Sequence, residues 1–140
     1  MAGGGVDSGF DMTGLNQLPA SGPVTMLNLL KFRNRARDGN GTGRREYMKY
    51  ANAAQQLVES RGGRVLWAGI IDGVALNEQG DVDWDWALLV YYPSRDAFVD
   101  LVTSPDYQRA NAHRLNGTER HIILATRTVV SAPMPDSEGA

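Results

Sequence analysis

The order of apolar runs along the chain constrains the fold more than any other feature of the sequence. Four short segments are almost continuously apolar, and two longer segments between them carry apolar residues three or four positions apart. The first pattern predicts β-strands and the second predicts amphipathic helices. From the N-terminus the order is strand, helix, strand, strand, helix, strand, which is the split βαβ arrangement of ferredoxin-like domains.

Turn and capping residues set the expected boundaries of these elements. The four predicted strands span residues 24–30, 64–72, 84–92 and 120–130. A first helix is predicted over 44–61 and ends at the glycine pair that begins with Gly62. Two helical segments are predicted after the third strand, the first capped by Ser94 and the second by Ser104. The second segment ends near Gly117.

The predicted fold class is α+β, a four-stranded antiparallel sheet with its two main helices on one face. Its strands do not alternate apolar with polar residues, and such continuous apolar strands suit a sheet that is covered on both faces. A large exposed apolar surface is rare on monomers. The simplest cover is an identical chain related by a two-fold axis, so we predict a homodimer.

The length and composition of the chain limit the number of domains, the cofactors and the cellular location that can be expected. The 140 residues suit one domain, which we place at residues 20–131 between mobile tails at 1–19 and 132–140. With no cysteine and two histidines, the chain has few ligands for a metal or haem, and we predict no cofactor. No apolar run approaches the roughly 18 residues of a membrane span. We therefore expect a cytoplasmic protein without a membrane partner.

Basic residues are concentrated in the segment KFRNRARDGNGTGRREYMK, from Lys31 to Lys49. Its glycines do not have the spacing of a dinucleotide-binding fingerprint or of a P-loop. We interpret the segment as a solvated, flexible loop, and recruitment of an anion to the start of the next helix is the open alternative. Because the net charge is −2, nucleic-acid binding is the weakest of the functions considered.

Asn28 is a single amide inside the apolar run VTMLNLL. A buried amide must be hydrogen-bonded, so one interpretation is a core or interface contact. The other is a polar group in an apolar ligand pocket, between the two facing sheets of a dimer. Both interpretations stay open, and Asn28 is our first candidate catalytic residue.

His113 and Arg114 are adjacent near the end of a predicted helix. Histidine can transfer a proton near neutral pH, and arginine binds carboxylates through two parallel hydrogen bonds. Cations at a helix C-terminus are also stabilised by the helix dipole alone. We take His113 and Arg114 as the other candidate catalytic residues and expect His121, at the start of the last strand, to lie at the rim.

Five segments resemble the bacterial family called domain of unknown function 1330. They are VTMLNLLKFR, GGRVLWAG, WDWALLVYYPSRDAF, SPDYQRANAHR and ILATR, and they span residues 23–127. The resemblance implies a ferredoxin-like dimeric α/β barrel, in which two sheets face each other, and supplies a fold rather than a reaction. Family members commonly carry an acid in the strand where this chain has Trp86 and Tyr91, and Asp85 is the matching acid. Trp67 lies in the family's LWAG segment.

Two classes of function follow. The first is an enzyme that acts on an apolar or aromatic organic substrate in a pocket between sheet and helices. By analogy of fold alone, dimeric α/β barrels include cofactor-independent oxygenases and isomerases. The second is a non-catalytic ligand-binding or stress-associated dimer. In either case, Trp67, Tyr50 and Asp85 are the candidate contacts to a small organic ligand.

Overall fold

The structure, a computed structural model, describes residues 9–80 and 82–135 of the chain. Within these residues the elements are, in chain order, α1 (Met12–Asn16), β1 (Val24–Phe32), α2 (Gly43–Glu59), β2 (Arg64–Ile70), β3 (Trp86–Tyr92), α3 (Arg95–Val102), α4 (Pro105–Gly117) and β4 (Thr118–Thr126).

The four strands form one antiparallel sheet in the order β2-β3-β1-β4. The central strand β1 pairs with β3 on one side and with β4 on the other, so that Asn28 lies opposite Leu88 and Ile123. The predicted four-stranded antiparallel sheet and the order of its elements are confirmed. The third strand begins two residues later than predicted, and the last one begins two residues earlier and ends at Thr126.

Capping residues explain why three helices begin where they do. The side chains of Thr42, Ser94 and Ser104 each accept a hydrogen bond from the backbone N–H three residues further on, at 3.1 to 3.2 Å. Each therefore satisfies one of the N–H groups that the first turn of a helix leaves without a partner. Pro105 follows Ser104 in the first turn, where its missing N–H costs nothing. The predicted caps at Ser94 and Ser104 are confirmed.

The core lies between one face of the sheet and helices α2, α3 and α4. Residues of β1 alternate between buried and partly buried, and its buried side chains face the helices. They pack against buried apolar side chains of the helices, among them Tyr47, Val58, Phe98, Leu101 and Tyr107. Leu30 is fully buried in this layer, so shortening it to alanine should cost roughly 2 to 5 kcal/mol of stability.

The other face of the sheet carries a set of aliphatic side chains that we call the open face. Residues opposite each other in antiparallel strands point to the same side, which places these side chains together. The members are Leu27, Leu29, Leu89, Ile122 and Leu124. Ile122 and Leu124 are 38% and 45% exposed, and helices α2, α3 and α4 pack on the opposite face.

The N-terminal segment, where the composition predicted a mobile tail, contains a short helix that packs against the core. Asp11 caps the short helix α1, and Phe10, Leu15 and Leu18 pack against the core. The ring of Phe10 makes edge contacts to two core aromatic rings. The predicted start of the domain at residue 20 therefore leaves out residues that contribute to the core, while residues 1–8 and 136–140 lie outside the described residues.

Helices α2 and α4 meet at two glycines. The backbones of Gly43 and Gly117 approach so closely that a Cβ on Gly43 would lie 2.5 Å from the carbonyl oxygen of Gly117. A Cβ on Gly117 would lie 2.8 Å from the nitrogen of Tyr47. Real Cβ atoms are not found at such distances, so the contact requires glycine at both positions.

The basic segment between β1 and α2 is held against the end of α4. Backbone N–H groups of Arg33 and Arg37 donate to the carbonyl oxygens of Gly117 and Asn116, each at 2.9 Å. Ala36 is buried between the exposed arginines. The side chains of Arg35 and Arg37 are exposed as expected, whereas Arg33 is partly buried and the backbone of the loop is docked against α4.

Candidate functional site

A cavity of about 490 Å³ lies between the sheet and the helices, and we call it the inner cavity. Its walls are mainly aliphatic and aromatic, and they include Tyr47, Tyr50, Trp86 and Tyr107. The cavity reaches the edge strand β2, whose residues are almost all exposed because the helices do not cover this edge. Asn28 lies in the inner wall, on the face of β1 that points to the helices.

Three polar side chains form a hydrogen-bonded chain that we call the relay. The guanidinium Nη1 of Arg114 lies 3.1 Å from Nδ1 of His121, and His121 Nε2 lies 2.9 Å from Oδ1 of Asn28. Arg114 Nε donates to Asn111 Oδ1 at 2.6 Å, and Asn28 Nδ2 donates to the carbonyl of Met26 at 3.3 Å. Asn28 and Arg114 are only 8% and 7% exposed, so these contacts satisfy polar groups in the interior.

The relay fixes the direction of each hydrogen bond. A guanidinium only donates, so Nδ1 of His121 must accept, and the ring proton of the neutral imidazole lies on Nε2. Nε2–H then donates to Oδ1 of Asn28. It follows that the amide nitrogen of Asn28 lies on the other side, where one N–H donates to the Met26 carbonyl and the second is left for another acceptor. Asn28 is one of the residues that line the inner cavity.

His121 is neutral in this arrangement. Burial of the ring, and to a smaller extent the neighbouring charge of Arg114, lower the pKa of His121 to about 3. At neutral pH the ring therefore carries no charge, and it acts as a hydrogen-bond bridge between an arginine and an amide.

Tyrosines of the cavity wall are held in their protonated form. Tyr50 and Tyr107 are hydrogen-bonded through their hydroxyl oxygens, 3.0 Å apart. Burial raises the pKa of both phenols, and it also raises the pKa of Tyr47 and Tyr92. These four residues therefore supply neutral hydroxyl groups and no charge to the site.

A second cavity, of about 450 Å³, lies on the other side of the relay under the N-terminal segment. Arg114, His121, Phe10 and Leu15 are among its lining residues. Phe10 also lines the inner cavity, so its ring is part of the wall between the two spaces. The polar ends of the relay thus face different cavities: Asn28 faces the inner one, and Arg114 and His121 face the second.

The structure brings together two of the three predicted catalytic residues. Asn28 and Arg114 are joined through His121, which was expected at the rim and instead lies partly buried beside the core. His113 lies elsewhere, because consecutive helical residues point about 100° apart. Its Nδ1 is 3.1 Å from Oε1 of Glu46 on α2. Asn28 also faces the helices rather than the open face, so its expected place between two facing sheets is wrong.

His121 was missed as a site residue because it stands near the start of a strand. A signal for it was present: His121, Ile123 and Ala125 alternate along β4, and that alternation places the imidazole on the inner face opposite Leu30.

Of the predicted ligand contacts, Tyr50 and Trp67 line the inner cavity and Asp85 does not. Asp85 completes the backbone pairing at the irregular end of β1. Its carboxylate accepts from the N–H of Phe32 at 2.9 Å, and its own N–H donates to the carbonyl of Leu30 at 2.7 Å. Lys31 is close to the same carboxylate, at 3.6 Å. Because its oxygens serve the backbone and a lysine, Asp85 is a structural residue here.

Among the described residues, no group of three or more His, Cys, Asp or Glu side chains is placed to hold a metal ion. No helix in the described ranges is long and apolar enough to cross a membrane.

Comparison with known proteins places this geometry in a family. The sequence profile described as Domain of unknown function (DUF1330) matches residues 40–128, which is more than half of the chain. The RPA0582 protein of unknown function from Rhodopseudomonas palustris is 29% identical in sequence, with a TM-score of 0.77. The match covers 86% of this chain and 92% of that protein. No curated protein matches the chain.

More distant structures share the fold alone. A dabb family protein with a ferredoxin-like fold from Mesorhizobium loti is 10% identical, with a TM-score of 0.52 over 79% of this chain and 100% of that one. A mutant of SnoaB, a cofactor-independent oxygenase from Streptomyces nogalater, is 12% identical, with a TM-score of 0.53 over 81% of this chain and 100% of that one. The predicted ferredoxin-like fold and the resemblance to this family are confirmed.

Proposed function

This chain belongs to the domain of unknown function family DUF1330, and we propose that it is a homodimer that binds a small, apolar or aromatic organic ligand in the inner cavity. The observation that carries the proposal is the amide of Asn28, held by the relay at the wall of a mainly apolar space. A cavity of about 490 Å³ is within the range that holds small organic ligands. A mainly apolar wall with a few placed polar groups, one of them an oriented amide, is the usual composition of such sites.

The enzyme we propose is a cofactor-independent one of the oxygenase or isomerase type. Asn28 would orient an oxygen of the substrate, with Trp67 and Tyr50 as walls of the site. SnoaB, whose fold is similar, is described as a cofactor-independent oxygenase, so the fold is compatible with such chemistry. In such an enzyme His121 would hold Asn28 in place and would not act as a base, since its pKa of about 3 leaves it a weak proton acceptor at neutral pH.

A non-catalytic ligand-binding dimer is the second candidate, and one observation favours it. No histidine, lysine, arginine, aspartate or glutamate is among the described residues that line the inner cavity. General acid–base catalysis needs a group that titrates near the working pH. A site that only binds has no such requirement.

The open face supports the proposed homodimer. Its leucines and Ile122 form an apolar surface on the side of the sheet away from α2, α3 and α4, and Ile122 and Leu124 are its most exposed members. Covering it with a second copy buries this surface from both partners through one self-complementary contact. Such a dimer would be the two-sheet barrel that the family resemblance implies.

Native mass spectrometry of freshly purified protein tests both parts of the proposal. We expect the mass of a dimer, and a retained organic molecule where the cavity is loaded during expression. A monomer would contradict the open-face argument. A screen of organic ligands by thermal shift follows, since a ligand that binds the folded state raises the unfolding temperature.

Variants that fill the cavity make this screen specific. Ala51 lines the inner cavity, and the neighbouring Ala53 is exposed on the same helix. Ala51→Phe should remove the thermal shift given by any hit, and Ala53→Phe should leave it unchanged. Equal shifts in both variants would place the ligand outside the inner cavity. With a substrate in hand, Asn28→Ala separates the candidates: an enzyme loses turnover, and a binder loses only affinity.

A further inference from the structure

We propose that the inner cavity selects neutral carbonyl compounds, which present one oxygen to the amide N–H of Asn28, and that Arg114 and His121 are positioning residues that fix this amide. The inference rests on the proposed ligand cavity and specifies what it takes. It has two parts: the site offers a donor rather than an acceptor, and it excludes charge.

The hydrogen bonds of the relay determine that Asn28 offers a donor to the inner cavity. Without a fixed partner, an asparagine amide can turn about its last bond and present either its oxygen or its nitrogen. Here Nε2–H of His121 occupies Oδ1 of Asn28, at 2.9 Å, and Arg114 prevents the imidazole from taking the opposite tautomer. The cavity therefore meets the NH₂ side of the amide. A ligand oxygen that accepts a hydrogen bond, as a ketone, aldehyde or quinone oxygen does, matches it.

Exclusion of charge follows from the composition of the wall. The polar groups of the described lining are the amides of Asn28 and Gln55, the tyrosine hydroxyls and the indole N–H groups, and all of them are neutral. An anion that enters an apolar space loses its hydration and needs a charged partner in return. The charge of Arg114 lies behind His121, on the side of the second cavity.

The pKa values of the tyrosines in the wall show whether the charge of Arg114 or burial has the larger effect in the inner cavity. Their phenols are chemically similar to an acidic ligand, and Arg114 acts on Tyr47 and Tyr50 to lower the pKa. Burial acts in the opposite direction and is the larger cause, so the pKa of both phenols is raised. By the same balance, we expect the cost of desolvation to exceed the attraction of Arg114 for an anionic ligand in this cavity.

Three probes with one ring system test both parts on the unmodified protein. They are 2-acetonaphthone, 2-ethylnaphthalene and 2-naphthoate, which carry a ketone, no acceptor and a carboxylate. Titration calorimetry near neutral pH gives the three dissociation constants. Since a net hydrogen bond contributes about 1 kcal/mol, we expect the ketone to bind about fivefold more tightly than the hydrocarbon. The carboxylate should bind at least tenfold more weakly than the ketone.

Each outcome decides something different. A carboxylate that binds as tightly as the ketone overturns the exclusion of charge, and a ketone that binds no better than the hydrocarbon overturns the oriented donor. In both of those cases the ligand cavity itself stands. Binding by none of the three probes contradicts the cavity, and the present inference with it.

Variants of the relay test the positioning role. Asn28→Leu should lower the affinity for the ketone to that for the hydrocarbon and leave the hydrocarbon unchanged, while Asn52→Leu, on the exposed side of α2, changes neither. His121→Phe should reduce the ketone preference in the same way. His121→Gln, which can still accept and donate, should restore part of it. Equal loss of affinity for ketone and hydrocarbon in His121→Phe would show a merely structural role.

Discussion

Glu46 should make the stability of this protein sensitive to acid, and replacing it with glutamine should remove that sensitivity. The carboxylate lies in the first turn of α2 and is 6% exposed. It accepts hydrogen bonds from Lys49 at 2.6 Å and Asn116 at 2.8 Å, and it lies 3.1 Å from the ring nitrogen of His113. It thereby connects α2 to α4 at the end of the helix pair.

The contribution of the Glu46 carboxylate to the free energy of unfolding follows from its pKa. The hydrogen bonds from Lys49, His113 and Asn116 lower the pKa of Glu46 from 4.5 to about 2. Each pKa unit corresponds to about 1.36 kcal/mol, which gives an upper value of about 3 kcal/mol. Lys49 is half exposed and its contribution is screened by solvent, so we expect about 2 kcal/mol.

The sign of the pH dependence is determined by which state binds the proton more tightly. Because the folded pKa is below the unfolded one, the unfolded state takes up the proton first as the pH falls. The stabilisation is complete above the unfolded pKa of 4.5 and disappears as the pH falls to about 2. In Glu46→Gln no proton is taken up at this position, and the difference between the two proteins should follow this window.

Urea unfolding, monitored by tryptophan fluorescence at several pH values between neutral and about pH 3, measures the effect. The wild type should be about 2 kcal/mol more stable than Glu46→Gln at neutral pH, and the gap should shrink steadily below about pH 4.5. Glu119→Gln, an exposed change of the same kind on β4, is the control and should show no such gap. A gap of the same size at the lowest and highest pH would refute the reasoning.

Three further predictions concern the dimer, the relay and the N-terminal segment. Leu124→Glu on the open face should convert the proposed dimer to a monomer in sedimentation equilibrium, whereas Val129→Glu, in the exposed C-terminal segment, should not. Affinity for 2-acetonaphthone should vary less than about twofold between pH 5 and pH 8, because the pKa of His121 is about 3 and the relay does not titrate in that range; a larger change would contradict the neutral bridge. Phe10→Ala should lower the free energy of unfolding by about 2 kcal/mol, since the ring packs on Phe98 and Tyr107; no change in urea unfolding would show that α1 adds nothing to the core.

The sequence was sufficient for the order of elements, because that order depends on local patterns. The 3.6-residue period of α2, the caps at Ser94 and Ser104 and the continuous apolar strands act within a few residues of each other. Asn28 could be selected for the same reason, since a single amide in an apolar strand is a local anomaly.

The partner of that amide could not be found in this way. His121 lies 93 positions further along the chain, and only the pairing of β1 with β4 brings its ring to Asn28. The adjacency of His113 and Arg114 was misleading, since neighbours on a helix point in different directions. The sequence predicts a tail around Phe10 because the few apolar residues there show no helical or strand periodicity. Their packing depends on an aromatic surface that α3 and α4 form together.

The contact between Gly43 and Gly117 has a consequence for how relatives of this protein can diversify. It fixes the spacing of α2 and α4 at a point where neither backbone tolerates a side chain. Tyr50 follows on α2, and β4 begins directly after Gly117 and carries His121 four residues on. One wall of the inner cavity and the relay behind it therefore share an anchor outside the site. Relatives that keep both glycines can therefore change the cavity by exchanging side chains in its wall, without moving this backbone frame.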